Sequence, residues 1–193
     1  VSVHGANRLG CNSLLDLVVF GSRMGEAIAA YCSKADRQEP TGDTEKRIND
    51  KINRLLTSSG PEDVAKLRKE LQNVMTEKCS VFRSEEMLRE AVDNLALLRR
   101  RFSEIGLHNR GRHLNYELED ALELGNMLAV SEAVVASARA RRESRGAHYR
   151  SDYLERDDLN YMKHTICGRA GGTMEINWKP VSVTTFQPKP RGF

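Results

Sequence analysis

The stretch with the most chemical potential is His4-Gly-Ala-Asn-Arg-Leu-Gly-Cys-Asn-Ser-Leu-Leu-Asp-Leu-Val-Val-Phe-Gly21. A polar loop ends in Asn12-Ser13, both helix-capping residue types, and enters an apolar helical pattern. The first-turn amides of such a helix lack intrahelical partners and sit at the positive end of its dipole. This end can therefore hold an anion or a developing negative charge. Arg8, upstream of the cap, adds a forked cation suited to a carboxylate. His4, beside Gly5, shapes the loop or reaches a substrate. A plain helix cap with an arginine in solvent fits the same spacing and is the commoner case.

A second charged block lies far along the chain. Arg139, Arg141, Arg142, Arg145 and Arg150 are followed at once by Asp152, Glu155, Asp157 and Asp158. The arginines alone would suggest a nucleic-acid surface. With acids so close behind, internal ion pairs or a docking surface are the better reading, and no nucleic acid is expected as a partner. His148 and His164 read as structural hydrogen-bonding groups. Across the chain, 30 basic residues nearly balance 27 acidic ones, so net charge selects no polyanion either. Cys11, Cys32, Cys79 and Cys167 are scattered, without a CxxC pair or a histidine at ligand spacing. Reduced thiols are expected, and neither a disulfide framework nor a metal site.

The two blocks carry a resemblance. His4-Gly-Ala-Asn-Arg-Leu-Gly-Cys-Asn-Ser-Leu-Leu-Asp-Leu-Val-Val-Phe-Gly21 is similar to the segment that follows the last strand of the FAD domain in succinate dehydrogenase and fumarate reductase flavoprotein subunits. Glu143-Ser-Arg-Gly-Ala-His-Tyr-Arg150, Asp152-Tyr-Leu-Glu-Arg-Asp-Asp158 and Asn160-Tyr-Met-Lys-His164 resemble a later block of the same subunit. Their order and the helical segment between them extend the likeness over nearly the whole chain. It departs at Cys11, where Gly or Ser is usual, at Leu154 for Pro and at Tyr161 for Trp.

The resemblance implies that Arg8 grips a carboxylate of a dicarboxylic acid, and that Ser13 and Leu14 contact the isoalloxazine end of FAD. His4 and Asn12 belong to the same active-site loop. Helix-start amides would face the negative charge that arises on the flavin as hydride arrives. The complete subunit would oxidise succinate to fumarate and pass electrons to an iron–sulfur subunit. Membrane-anchor subunits would hold it at the cytoplasmic face of a bacterial inner membrane or the mitochondrial matrix side. Fumarate reductase and L-aspartate oxidase are the near alternatives, with Leu15 to Phe20 and Arg156-Asp-Asp158 favouring the succinate dehydrogenase type. A non-catalytic helical interaction module is the alternative of another class.

No GxGxxG occurs here. The resemblance places that turn upstream, with the flavin-linking histidine, the capping domain and its proton-shuttling arginine. The expectation is a fragment, cloned or cut, with no residue of the catalytic proton relay, no flavin of its own and no activity alone. Val1 is not Met, and no basic region precedes an apolar core, so a signal peptide is not expected.

The elements that must position these residues read as mainly helical. Hydrophobic residues are 39% and charged residues 30% of 193, with aromatics only 6%, which fits a folded helical protein with an aliphatic core. The first helix spans about Ser13 to Ser33. Its stripe is Leu14, Leu17, Val18, Gly21, Met24, Gly25 and Ile28, and the two glycines predict a close second backbone. Asp16, Arg23 and Glu26 argue against a membrane span. Lys34 to Asp43, with Pro40 and Gly42, reads as a linker. A helix is expected from Thr44 to Leu56, and another opening at Pro61 and ending near Cys79. The next opens at Ser84 and closes at Gly106, and the last spans Tyr116 to Arg142 with Leu118, Ala121, Leu122, Gly125, Leu128, Ala129 and Val135 inward. Tyr149 to Lys163 reads as irregular, Thr173 to Phe186 as a short strand pair, and Gln187 to Phe193 as an extended tail. The fold class expected is mainly α, a helical bundle preceded by the terminal helix of an FAD-binding domain and followed by a short β tail. The divisions are 1–35, 36–145 and 146–193.

Overall fold

The computed structural model describes residues 3–8, 10–39, 42–185 and 187–189. Leu9 of the loop motif, Pro40, Phe186 and the tail beyond Lys189 lie outside the described residues.

Helix α1 (Asn12–Cys32) is followed by α2 (Gly42–Thr57), α3 (Val64–Lys78), α4 (Glu85–Phe102) and α5 (Tyr116–Ala140). A two-residue strand β1 (Phe82–Arg83) pairs in parallel with β2 (Tyr149–Arg150). A single turn, α6 (Asp158–Tyr161), leads into the antiparallel hairpin of β3 (Lys163–Ala170) and β4 (Thr173–Pro180). Gly171 and Gly172, at φ 57° and 88°, make the left-handed two-residue turn that joins them. The expected strand pair is thus corrected. Thr173 opens only the second strand, and its partner is the segment from Lys163, where polar residues hide the alternation.

The core is aliphatic and lies between α3, α4 and α5. Leu67 and Leu71 meet Leu88, Ala91, Leu95 and Leu98, with Leu118, Ala121, Leu124, Leu128 and Val135 opposite. α2 adds Leu55 and Leu56, with Ile52 half-buried against them. On α5 the buried face includes Leu124, which the sequence stripe omits, while Leu122 is only half-buried. This face packs against α3 and α4, although α5 is long and apolar enough by composition to cross a membrane. Phe102 packs over Gly125, whose missing Cβ would lie 3.0 Å from the ring.

Two helix ends differ from expectation. α3 starts at Val64, capped by the Asp63 carboxylate accepting from the Lys66 amide at 2.8 Å. Pro61 and Glu62 instead form an extended crossing with residues 104–106, where the Gly106 amide donates to Glu62 at 3.0 Å. α4 is capped as expected by Ser84, but it closes at Ser103. Gly106 lets the backbone pass against Gly60, which a side chain at either position would block.

Ion pairs stitch the bundle. Arg101 forks onto Glu62 and also binds Glu70, and Arg99 forks onto Glu132 at 2.8 and 3.0 Å. Arg150, 0% exposed, is more central. Its Nε and Nη2 donate to Asp152 at 2.8 and 2.7 Å, and its Nη1 reaches the Ala138 and Arg139 carbonyls at the end of α5, both at 3.2 Å. Asp152 in turn accepts from the Glu85 amide at the start of α4 at 2.8 Å. Each charge thus sits at the helix end whose dipole favours it.

α1 contrasts with the rest, since none of its residues is buried. Leu14 is 69% exposed and Val18 72%. Nothing lies within 4 Å of a Cβ placed at Gly21 or Gly25, so the close backbone that those glycines predict is not among the described residues.

Leu95→Ala and Leu124→Ala should each lower unfolding free energy by about 2–5 kcal/mol in denaturant titrations, and half-buried Leu122→Ala by clearly less. Equal losses at Leu122 and Leu124 would contradict the packing. Hydrogen exchange on the 193-residue chain should find the amides of Leu14 to Ile28 less protected than those of α4 and α5. The hydrogen bond from Arg150, aided by the Glu85 amide and opposed by burial, holds the Asp152 carboxyl at about 2. Its folded value lies below the unfolded one, so its stabilisation is complete above about pH 4 and fades as pH falls toward 2. The loss should be on the order of 1–2 kcal/mol across that window. Asp152→Asn should be less stable at neutral pH, with a flatter acid limb in pH-dependent melts.

Candidate functional site

The loop before α1 is held at two points and ends in an unusual cap. His4 Nε2 lies 2.9 Å from Asp16 Oδ2, so the second turn of α1 pins the start of the loop. Gly5 follows with φ 64°, a conformation that suits a residue without Cβ. Two residues before Arg8, the Ala6 carbonyl accepts from the Ala147 amide at 3.2 Å. This brings the two charged sequence blocks together.

The expected Asn12-Ser13 cap is corrected. Asn12 and Ser13 already lie inside α1, and the cap position is Cys11, left-handed at φ 67°, with no side-chain cap hydrogen bond. Glycine adopts that conformation most easily, and Cys11 takes it while carrying a side chain. The Leu14 amide turns back to Cys11 O at 3.2 Å. The Asn12 and Ser13 amides are left at the positive end of the dipole without a capping side chain. Arg8, Asn12 and Leu14 are exposed and Ser13 is half-buried. Among the described residues no acidic side chain pairs with Arg8. A free guanidinium and uncapped amides on one loop-to-helix junction can take an anionic ligand.

The arginine-rich block is an internal ion-pair network, as the neighbouring acids predict. Glu143, 0% exposed, accepts from Arg141 at 2.5 Å, from Arg145 at 2.8 and 2.9 Å, and from the Asp157 amide at 2.8 Å. Burial pushes its carboxyl up, but the hydrogen bonds from Arg145, the Asp157 amide and Arg141 outweigh it and hold it below the ordinary range. Arg145 also binds Asp158 at 2.8 Å. His148 Nδ1 lies 2.9 Å from Arg83 Nη1 and its Nε2 lies 3.0 Å from the Arg141 carbonyl. A guanidinium only donates and a carbonyl only accepts, so Nε2 carries the proton. Burial, together with the positive charge of Arg83, Arg150 and Arg141, lowers the His148 pKa against the Arg141 carbonyl bond. His148 is thus a neutral structural group.

Sequence reasoning missed Asp16 as the partner of His4, and Gly146 and Ala147 as the contact of the loop. The Arg-Gly-Ala-His run signals a turn, but no local pattern reports what its tip touches. All four cysteines are free thiols, and no metal-holding group of His, Cys, Asp or Glu occurs among the described residues.

Known proteins match this arrangement. The family model described as the fumarate reductase flavoprotein C-terminus matches residues 68–193. The succinate dehydrogenase flavoprotein subunit of Rickettsia bellii (strain RML369-C) is 41% identical over 188 residues, covering 96% of this chain and 32% of its own length. The fumarate reductase flavoprotein subunit of Escherichia coli (strain K12) is 40% identical over 200 residues, covering 99% and 33%. Relatives of both kinds match equally well, so similarity does not separate them. A mutant of E. coli quinol fumarate reductase superposes with a TM-score of 0.91 at 36% identity, over 98% of this chain and 33% of the other. Mycobacterium smegmatis Sdh1 gives 0.84 at 34%, over 93% and 31%. The chain spans about a third of the length of these relatives. Matched by the family model over residues 68–193 and by these relatives over nearly its whole length, the chain belongs to the succinate dehydrogenase and fumarate reductase flavoprotein subunit family.

Proposed function

We propose that this chain is the C-terminal part of a flavoprotein subunit that oxidises succinate to fumarate. The observation that carries the reading is the junction of exposed Arg8 with the uncapped start of α1. In the complete subunit, 1–35 would close the FAD-binding domain, 36–145 would form the helical bundle, and 146–193 would pack on it. The exposed apolar stripe of α1 supports this division, because Leu14, Leu17, Val18 and Ile28 need a partner that the bundle does not supply. That partner would be the upstream flavin-binding part.

The residues present fit a flavin. The Asn12 and Ser13 amides lack a capping side chain, and Leu14 offers an apolar surface beside them, so Ser13 and Leu14 would lie against the ring system with His4 and Asn12 in the surrounding loop. FAD, when bound, accepts a hydride and delivers electrons onward, here to an iron–sulfur subunit. Arg8 would orient the dicarboxylate through two parallel hydrogen bonds to one carboxylate. The helix-start dipole would lower the energy of negative charge arising nearby. The proton relay would come from upstream residues, and isolated 1–193 would bind no flavin and be inactive. Leu15 to Phe20 and Arg156-Asp-Asp158 favour the succinate dehydrogenase type over fumarate reductase. Membrane-anchor subunits would keep the complex peripheral to a membrane.

Arg8→Lys in the complete subunit keeps the charge but loses the fork. A misplacement of about 1 Å at the reacting centre can cost around a hundredfold, so succinate oxidation should fall by that order while flavin content stays unchanged. Near-normal turnover with full flavin would remove Arg8 from the active site. Ser13→Ala should be milder, since the backbone amides survive it.

A further inference from the structure

We propose that the turn Arg145–His148 is a buttress that sets the position of Arg8 for dicarboxylate binding, with Gly146 and Ala147 as positioning residues. The proposal rests on the reading of Arg8 as the substrate arginine. It begins from a backbone contact. The Ala147 amide donates to the Ala6 carbonyl at 3.2 Å. Gly146 has φ 60°, and a Cβ there would lie 2.5 Å from the Ala6 carbonyl oxygen, 2.6 Å from its carbon and 2.8 Å from Ala6 Cβ. The approach is backbone against backbone, with no flexible side-chain end to yield.

The buttress is itself rigid. Its ends are hydrogen-bonded both ways, Arg145 N to His148 O at 2.7 Å and His148 N to Arg145 O at 3.0 Å. The Arg145 side chain is locked onto Glu143 and Asp158, and His148 is held between Arg83 and the Arg141 carbonyl. These anchors trace back to the end of α5 and to β1. On the other side, His4 is tied to Asp16 of α1. The loop is therefore clamped between α1 and the turn, and Arg8 follows the clamped Ala6 by two residues, at most about 7 Å of chain. A shift of the Ala6 carbonyl is passed on to the guanidinium, whose paired hydrogen bonds tolerate little misalignment.

The test uses the complete subunit assembled with its partners and carrying Gly146→Ala. Flavin content, succinate KM and kcat, and the affinity for malonate, read from the flavin absorbance change, are compared with those of the unsubstituted enzyme. The expected result is full flavin with malonate affinity reduced roughly tenfold or more and KM raised in parallel. Malonate affinity and KM both within about twofold of the unsubstituted enzyme would overturn the proposal. Arg8→Lys separates the two ideas. If it leaves malonate affinity intact, the reading of Arg8 fails. If it abolishes binding while Gly146→Ala does not, only the buttress fails. Should Gly146→Ala not assemble, hydrogen exchange of the unsubstituted enzyme decides. Coupling is reciprocal, so malonate must slow exchange of the 145–148 amides, and unchanged exchange there overturns the proposal.

Discussion

The burial of Arg150 is the constraint on which the rest of the structure depends. A guanidinium cannot shed its charge inside a protein, so every donor must find an acceptor. Asp152 accepts from Nε and Nη2, the carbonyls of Ala138 and Arg139 accept from Nη1, and Glu85 accepts from Nη2 at 3.3 Å. Those carbonyls are the unsatisfied end of α5, and the Glu85 amide bound by Asp152 is the unsatisfied start of α4. One ion pair thus fixes where the two central helices end relative to each other. It also fixes β2, which contains Arg150 and aligns with β1. Arg150 is wholly buried, but Asp152 keeps 29% of its side chain exposed, so water still screens the pair and weakens it. The pair therefore determines geometry more than it adds stability.

Glu143 repeats the logic one step further along the chain. Its carboxylate is wholly buried and gathers Arg141, Arg145 and the Asp157 amide. Arg141 then reaches the β3 hairpin through the Lys163 carbonyl and Thr165, and it lies over Trp178 at 5.3 Å. The hairpin is thereby seated by charge as well as by its half-buried face of Met174, Ile176 and Trp178. Aliphatic packing builds α3 to α5, and charge pairing fixes the segments between α5 and the hairpin.

Legibility in the sequence divides along the same line. The stripes of α4 and α5 are readable because one face meets the core every 3.6 residues, and Ser84 and its acids mark a true cap. The misses on α5, where the stripe names Leu122, Gly125 and Ala129 and omits Leu124, Ser131 and Ala138, arise because α5 is apolar around much of its surface, so several stripes compete. Pro61 misleads because it also suits an extended crossing, and the partner of that crossing, Glu104 to Gly106, is distant in sequence. The hairpin is half visible. Trp178 and Ile176 mark β4, whereas β3 keeps its register through Arg141 and cross-strand partners that no local pattern shows. At the candidate site, Arg8 and the helix start are legible by residue type. The cap is not, since a left-handed Cys11 contradicts the usual preference for Asn or Ser.

The loop before α1 and the charged block after α5 meet in space at Ala6 and Ala147, although only the loop bears the proposed substrate arginine. A loop rich in glycine and asparagine has many conformations, and holding one of them costs entropy for each residue fixed. Among the described residues, α1 holds the first block through the His4–Asp16 contact and the bond from the Leu14 amide to the Cys11 carbonyl, while none of its own residues is buried. The second block is held by buried charges whose pairing leaves little freedom. Joining the loop to it at Ala6 transfers that rigidity to a segment with no core of its own. On the proposed reading, the helical bundle carries no catalytic group and still has a part in the chemistry, through the turn it supports.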